Sequence, residues 1–161
     1  MPFNGFANFD GIKGECSEAG HKDWVDVLSY GHAVTRPPTT ATGTGVRTTV
    51  PASHAEFTIV KLLDVATPKL NEAACKGTRL SQVVIELWRP LGNTTYKYME
   101  YQLKDVLISG VAANGQAGGP PSSPVETVTL TYASIEWAYR TTLPNGTLGS
   151  EVKGKGVVGV A

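Results

Sequence analysis

The sequence predicts a mainly β fold, either a small barrel or a sandwich, with one short α-helix. Several segments alternate apolar and polar residues, as half-buried strands do. Glycine and proline are frequent, with 18 and 10 copies among 161 residues, and both favour turns between such strands. One segment alone has the spacing of a helix. Many short strands with little helix are typical of closed barrels and of two-sheet sandwiches.

The strand pattern is clearest in four segments. In AEFTIVKLL, Phe57 and Ile59 fall on one side of the strand, and Val60 and Leu62 on the other. SQVVIELW is apolar on both sides in the same way, as expected of a strand covered on both faces. ETVTLTYASIEWAY alternates threonines with apolar residues over 127–132, and TYKYMEYQLKDVLISGV is long enough for one bent strand or two strands.

The segment ATPKLNEAACKG predicts the helix, over about residues 67–76. Thr67 is the expected N-cap, Pro68 suits the first helical position, and Gly77 follows the last turn. Leu70 and Ala73 begin an apolar stripe at helical spacing, so one narrow face can pack on the sheet.

Two long loops are expected, at 35–53 and at 112–124, because both segments are rich in small, polar or turn-forming residues. Loops of this length in a compact domain usually have a function of their own or lack order. No composition shift divides the chain, so we expect a single domain over residues 1–161.

The charge balance limits the partners. Fourteen basic and fourteen acidic side chains give a net charge of zero, which offers no field for nucleic acid or an anionic membrane surface. No apolar run approaches the roughly 20 residues that span a bilayer, so no membrane insertion is expected. The first residues, MPFNGFANFDGIKGE, lack the charged start and apolar core of a signal peptide.

The segment FDGIKGECSEAGHKDWVDVLSYGHAV, from Phe9 to Val34, is the one place that resembles a reactive site. It holds His21, Asp23, Asp26 and several other acids, but not the spacings that metal-binding histidines and cysteines usually have. No nucleophile elbow or phosphate-binding loop occurs elsewhere. We therefore expect no catalytic residue, no metal and no cofactor; the acids and His21 are interpreted as surface groups at a turn that enters a strand.

Four motifs in a fixed order resemble the Hcp family, the tube protein of bacterial type VI secretion systems. They are GIKGECSEAGHKDWVDVLSY, EFTIVKLLDVATPKLNEAACKG, LKDVLISGV and ETVTLTYASIEWAY, and the resemblance covers Phe6 to about Tyr139. It implies a small β-barrel of two packed antiparallel sheets with one flanking helix. The chain departs from the family at its end, where VKGKGVVGVA lacks the usual tryptophan and leaves the pairing of the last strand open.

The resemblance also implies a function, which is structural and not enzymatic. Subunits would form homohexameric rings that stack into a tube, contact the sheath and the spike, and carry effector proteins through the channel. The chain would be made in the bacterial cytoplasm and then secreted, without a cleaved signal peptide, into the medium or a target cell. Arg36, Val46 and Arg47 are the expected contacts of the 35–53 loop, within or between rings. The helix face with Asn71, Glu72 and Lys76 is expected to face the lumen or the cargo.

Two other functions stay open at this point. A phage-type tail-tube protein has the same architecture in a different machine. A small β-barrel binding protein or hydrolase is the third reading, and turnover lost on mutation of His21 or Asp26 would favour it.

Overall fold

The computed structural model describes residues 3–38, 50–118 and 124–159, and these contain ten strands and one helix. Because alternating segments dominate the sequence, strands account for most of these residues. In chain order the elements are β1 (Asn4–Phe9), β2 (Val25–Val27), β3 (Ser29–Gly31), β4 (Val34–Thr35), β5 (Ser53–His54), β6 (Phe57–Leu62), α1 (Thr67–Lys76), β7 (Arg79–Leu91), β8 (Thr94–Asn114), β9 (Val125–Thr142) and β10 (Leu148–Val157).

One antiparallel sheet of eight strands curls into a barrel, in the order β2-β1-β7-β8-β9-β6-β3 with β10 added to β9. Residues 25–31 close it, because β2 pairs with β1 at one end of this order and β3 pairs with β6 at the other. Between them the Leu28 amide donates to the Val60 carbonyl oxygen at 2.8 Å. The predicted β-barrel is confirmed, and its eight strands belong to one continuous hydrogen-bonded sheet.

The core fills the inside of this barrel. Strand alternation sends every second side chain inward, so the residues of ETVTLTYASIEWAY that face the core are the apolar ones predicted from the pattern. Val128 and Leu130 are fully buried and Tyr132 nearly so. The largest fully buried apolar side chains are Phe9, Phe57, Ile59, Leu70, Ile85, Leu103, Leu130 and Ile135.

The segment TYKYMEYQLKDVLISGV forms part of one bent strand, β8, which pairs with β7 on one side and β9 on the other. Asp105 takes a positive φ of 52° inside it, and the register with β9 shifts between Ile108 and Gly110. Such irregularities bend a strand and increase its twist. The strand reaches Asn114, so the loop expected at 112–124 begins three residues later than predicted.

The predicted helix is confirmed at both ends, although its N-cap is not. Leu70 and Ala73 are buried, and Gly77 ends α1 in the left-handed conformation with φ 64°. Ala66 occupies the N-cap position without a side-chain bond to the helix. The hydroxyl of Thr67 is engaged elsewhere, since it accepts from the Asp64 amide at 3.1 Å and donates to a buried carboxylate of the sheet.

That carboxylate is Glu126, which forms a buried ion pair with Lys61. The two residues lie directly opposite each other in β9 and β6, and both side chains are fully buried. Lys61 also reaches Asp64 at 2.8 Å and the Leu62 carbonyl oxygen at 2.9 Å, and Thr67 donates to Glu126 at 2.9 Å. The network therefore ties the start of α1 to the two strands beneath it.

The end of the chain continues the sheet. β10 pairs with β9 from Leu148 opposite Thr142 to Val157 opposite Ser134, which resolves the pairing that the sequence left open. Gly154 and Gly156 let the backbone lie against Trp137, because a Cβ at Gly156 would stand 3.0 Å from the indole. Within the described ranges, no helix has the length and apolar character that a bilayer crossing requires.

Candidate functional site

The histidine of the suspected reactive segment is a buried structural residue. His21 is 4% exposed, which corrects its expected surface position. Its ring stacks on Phe6 at 4.1 Å between centroids, with the edges of Trp24 and Trp88 at 4.8 and 5.1 Å. His21 Nε2 lies 2.7 Å from a carboxylate oxygen of Glu86. The aromatic rings exclude water around the imidazole, and the carboxylate supplies its polar partner.

Glu86 links this loop to the barrel. Besides His21, it accepts from Trp88 Nε1 at 2.8 Å and lies 3.5 Å from Lys97 Nζ. Lys97 also pairs with Glu100 on the same strand. The network joins the loop after β1 to β7 and β8. It has the contacts of a structural element, with every charge matched by a neighbour.

The acids of the segment spread over different neighbours and do not converge. Asp10 accepts from Ser81, Glu15 accepts from the Val65 amide at 3.0 Å, and Asp23 meets the exposed Lys13 at 3.7 Å. Across the described part of the chain, no three His, Cys, Asp or Glu side chains are arranged to hold a metal ion.

The three helix residues predicted to face the lumen lie on the open side of α1. Lys76 and Lys69 donate to the two oxygens of Glu72 at 2.5 and 2.9 Å, and together they lower the pKa of that exposed carboxyl to about 2. Asn71 donates to the Thr67 carbonyl oxygen at 2.8 Å. The exposed face therefore presents ordered charges of both signs.

Beside this face lies an open cleft of about 360 Å³ between α1 and the ends of β1 and β7. Its rim carries Asp10, Lys69 and Arg79. Arg79 donates to the two carboxylate oxygens of Asp105 at 2.8 and 2.9 Å. Small-molecule pockets are mostly apolar and enclosed, whereas this cleft is an open surface of mixed charge.

The base of the 35–53 loop is a two-stranded pairing of β4 and β5. Val34 lies opposite His54 and Thr35 opposite Ser53, so the pairing takes one residue from each end of the predicted loop. Arg36 follows at once and is exposed. Val46 and Arg47 lie outside the described residues, and the contact role of all three stays a prediction.

The largest feature that sequence reasoning missed is the outer edge of β10. Among the described strands, β10 pairs only with β9, so its far edge is open over ten residues. Val152 on this strand is 69% exposed and Tyr139 on β9, directly opposite Val152, is 43% exposed. An open strand edge beside exposed apolar groups is a ready surface for association. The alternation of lysine and glycine in VKGKG carries no apolar period, so the sequence did not indicate how this last strand pairs.

These features define a small β-barrel whose polar networks hold its own elements together. Its open backbone hydrogen-bonding groups lie on the outer edge of β10. A model of the family described as "Type VI secretion system effector, Hcp" matches residues 6–139. The chain therefore belongs to the Hcp family of type VI secretion proteins, a structural family and not one of enzymes.

Relatives and solved structures agree. The "Major exported protein" of Pseudomonas aeruginosa is 31% identical over 145 residues, covering 86% of this chain and 80% of the relative. "Protein hcp1" of the same organism is 26% identical, covering 87% and 85%. A solved type six secretion system protein superposes with a TM-score of 0.85 at 26% identity, covering 96% and 93%. Hcp1 from Salmonella typhimurium superposes at 0.76 over 98% and 95%, and at 21% identity it shows the fold alone.

Proposed function

We propose that this chain is the subunit of homohexameric rings that stack into the inner tube of a type VI secretion system. The single observation that carries the proposal is the match of nearly the whole chain to the Hcp family and fold. The open edge of β10 supplies a surface for the contact. Other partners would be the sheath, the spike and the effectors that travel in the channel.

A cyclic ring needs two different patches on each subunit, because the contact is head-to-tail. The first patch is the β10 edge with Val152 and Tyr139. The second is the exposed apolar group at the end of β6, formed by Leu62, Leu63 and Val65, which are 42–56% exposed. Leu62 lies opposite the first residue of β9, whereas β10 begins opposite the last, so the two patches sit at opposite ends of one long strand.

Stacking and transport would use the other surfaces. The 35–53 loop, with Arg36, Val46 and Arg47, would contact the same or the next ring. The charged face of α1, with Asn71, Glu72 and Lys76, would line the lumen and meet cargo. The chain would be made in the bacterial cytoplasm and leave the cell through the machine; the relative named "Major exported protein" supports export.

Light scattering coupled to size exclusion, over a range of concentrations, tests the ring. Six chains of 17.0 kDa give a species of about 102 kDa. Val152→Lys is expected to shift this species toward the monomer, because it places a charge within the first patch. Leu28→Lys is the matched control, since Leu28 is 50% exposed and lies outside both patches. A wild-type monomer at all concentrations overturns the ring, and equal loss in both variants overturns the role of β10.

A further inference from the structure

Two histidines that the scaffold networks do not use lie together where β4, β5 and β10 meet the barrel. The His32 ring lies 5.5 Å from Phe57, 6.0 Å from Trp137 and 6.1 Å from Tyr132, between centroids. The His54 ring meets Tyr132 edge-on at 6.1 Å. Both histidines are half-buried, so aromatic rings have replaced much of the water around them.

The hydrogen bonds fix how His32 carries its proton. Tyr132 has one hydroxyl proton, and it donates this proton to the Ala55 carbonyl oxygen at 2.9 Å. The same oxygen lies 3.3 Å from His32 Nδ1 and must accept there, so Nδ1 of His32 bears the hydrogen. His32 Nε2 is then a bare lone pair. It is buried with no hydrogen-bond partner among the described residues, and so is His54 Nδ1.

Among the described residues, neither His32 Nε2 nor His54 Nδ1 has an acceptor within hydrogen-bond distance. The titratable groups whose rings contact the pair in this part of the chain are Tyr101 from β8 and Tyr132 from β9, together with the other histidine. From β6 the facing group is Phe57, and from β10 it is Gly156. None of these is an acid.

The nearest acid–base pair of β9 and β10, Glu136 with Lys155, lies on the other face of the sheet. Its residues alternate with Trp137 and Gly156 along their strands, and successive side chains point to opposite faces. Burial, and then the nearby His54, lower the pKa of His32. The site is therefore suited to neutral imidazoles.

His54 also lies between neighbouring elements. His54 belongs to β5 and pairs with Val34, and next to it the Ala55 amide donates to the Ala33 carbonyl oxygen at 2.9 Å. On the other side the end of β10 rests on the same ring, because a Cβ at Gly156 would lie 2.9 Å from His54 Cε1. The pairing of β4 with β5 and the end of β10 thus share one support.

We propose that His32 and His54 form a proton-operated latch, in which protonation releases the β4–β5 pairing and the end of β10 while the barrel stays folded. The latch is a property of the subunit alone. Its consequence for assembly rests on the proposed function: the β4–β5 base of the 35–53 loop and the end of β10 would be secured at neutral pH and loosened in an acidic compartment.

The sign and size of the effect follow from linkage. In the released state the His32 imidazole regains the ordinary pKa of about 6.5, whereas burial in the closed state lowers its pKa. The latch is therefore fully stable above pH 6.5 and weakens as the pH falls below it. Between pH 7 and pH 5 the released population rises by up to about 25-fold for one histidine, the limit reached when the closed ring stays neutral.

Hydrogen–deuterium exchange of the full chain between pH 7.5 and pH 5, corrected for the intrinsic exchange rate, measures this population. The reporters are the amides of Ala55 and Val158, which donate to Ala33 and Ala133. We expect their protection to fall between pH 7 and pH 5, by up to about 25-fold, while the amides of Ile85 and Leu103 in the core keep theirs. Constant protection of the reporters, or equal loss in the core, overturns the latch.

Substitution assigns the effect to the two rings. His32→Gln retains a donor for Tyr132 and is expected to remove the pH dependence, whereas His54→Gln removes the ring that lies against Gly156. His21→Gln is the matched control, since His21 lies in a separate cluster against Glu86. A pH dependence that persists in the double variant at His32 and His54 overturns the latch.

If a glutamine variant fails to fold, an NMR titration of the wild-type imidazoles decides instead. His32 should then titrate together with the reporter amides, and independent titration contradicts the latch. Size exclusion at both pH values separates the two proposals. A hexamer whose reporter amides keep the same protection at both pH values keeps the ring and overturns the latch, whereas a monomer with pH-dependent reporters does the reverse.

Discussion

Replacing Lys61 by methionine should be among the most costly single substitutions in this chain. Methionine has a similar length and no charge, so the packing changes little. The fully buried Glu126 would then keep Thr67 as its one hydrogen-bond donor, because its second carboxylate oxygen has no partner among the described residues. Removing one member of a buried ion pair typically costs about 3–5 kcal/mol, since the other charge is left uncompensated.

The carboxyl group can limit this cost by taking up a proton. For an ordinary glutamate pKa of about 4.3, protonation costs about 3.7 kcal/mol at pH 7 and about 1 kcal/mol at pH 5, at 1.36 kcal/mol per pH unit. We therefore expect Lys61→Met to lower the free energy of unfolding by about 3–4 kcal/mol at pH 7. At pH 5 the loss relative to wild type should shrink to about 1 kcal/mol.

Urea denaturation of both proteins at the two pH values measures this difference. The double variant Lys61→Met with Glu126→Leu is the control, because an apolar pair in place of a buried ion pair is often neutral. It should recover most of the loss and show no pH dependence relative to wild type. A loss below 1 kcal/mol at pH 7, or a loss of equal size at pH 5, would refute the reasoning.

Three further substitutions or titrations test other contacts. Gly156→Ala should lower the free energy of unfolding, measured by urea denaturation, by about 1–3 kcal/mol, because its Cβ would press on Trp137. The control Gly154→Ala should leave it unchanged, because its Cβ would stand 3.7 Å from the same indole. Equal losses in the two variants would contradict this. Tyr132→Phe removes the donor to the Ala55 carbonyl oxygen in a part-buried bond and should cost about 0.5–1.5 kcal/mol. A thermal midpoint equal to that of wild type would argue against the bond. Lys76 and Lys69 should keep Glu72 ionised down to about pH 2 at low salt. The contribution of this carboxylate to stability is therefore present above its unfolded pKa and disappears as the pH falls toward 2. A carbon-13 NMR titration midpoint of Glu72 near the ordinary glutamate pKa would disprove this.

The sequence was sufficient for the helix, because Pro68 and Gly77 mark its ends and Leu70 marks its buried face. It was sufficient for the inward residues of β9 as well. It also contained the buried ion pair, although that signal was passed over. Lys61 shares its parity with the buried Phe57, and Glu126 shares its parity with Val128, so strict alternation places both charges inside. Two opposite charges at inward positions of two strands are a sign of cross-strand pairing.

Other features depend on contacts between distant residues and could not be predicted from local pattern. His21 is surrounded by Phe6, Trp24 and Trp88, which come from three parts of the chain. The residues next to His21 in sequence therefore do not predict its burial. The place of β10 depends on Trp137, which covers its glycines. The residues expected to contact other subunits are the least determined, since their role depends on surfaces that one chain alone does not supply.

The way residues 25–31 close the barrel also governs the order in which the protein can fold. This segment pairs with β1 on one side and with β6 on the other, and those two strands pair in turn with β7 and β9, which come later in the chain. Lys61 and Glu126 are 65 positions apart, and closure over such separations makes β proteins fold in milliseconds to seconds. During synthesis the apolar faces of β1 and β6 exist before the strands that cover them. The nascent chain therefore has to remain soluble, with its barrel open, until β9 has left the ribosome.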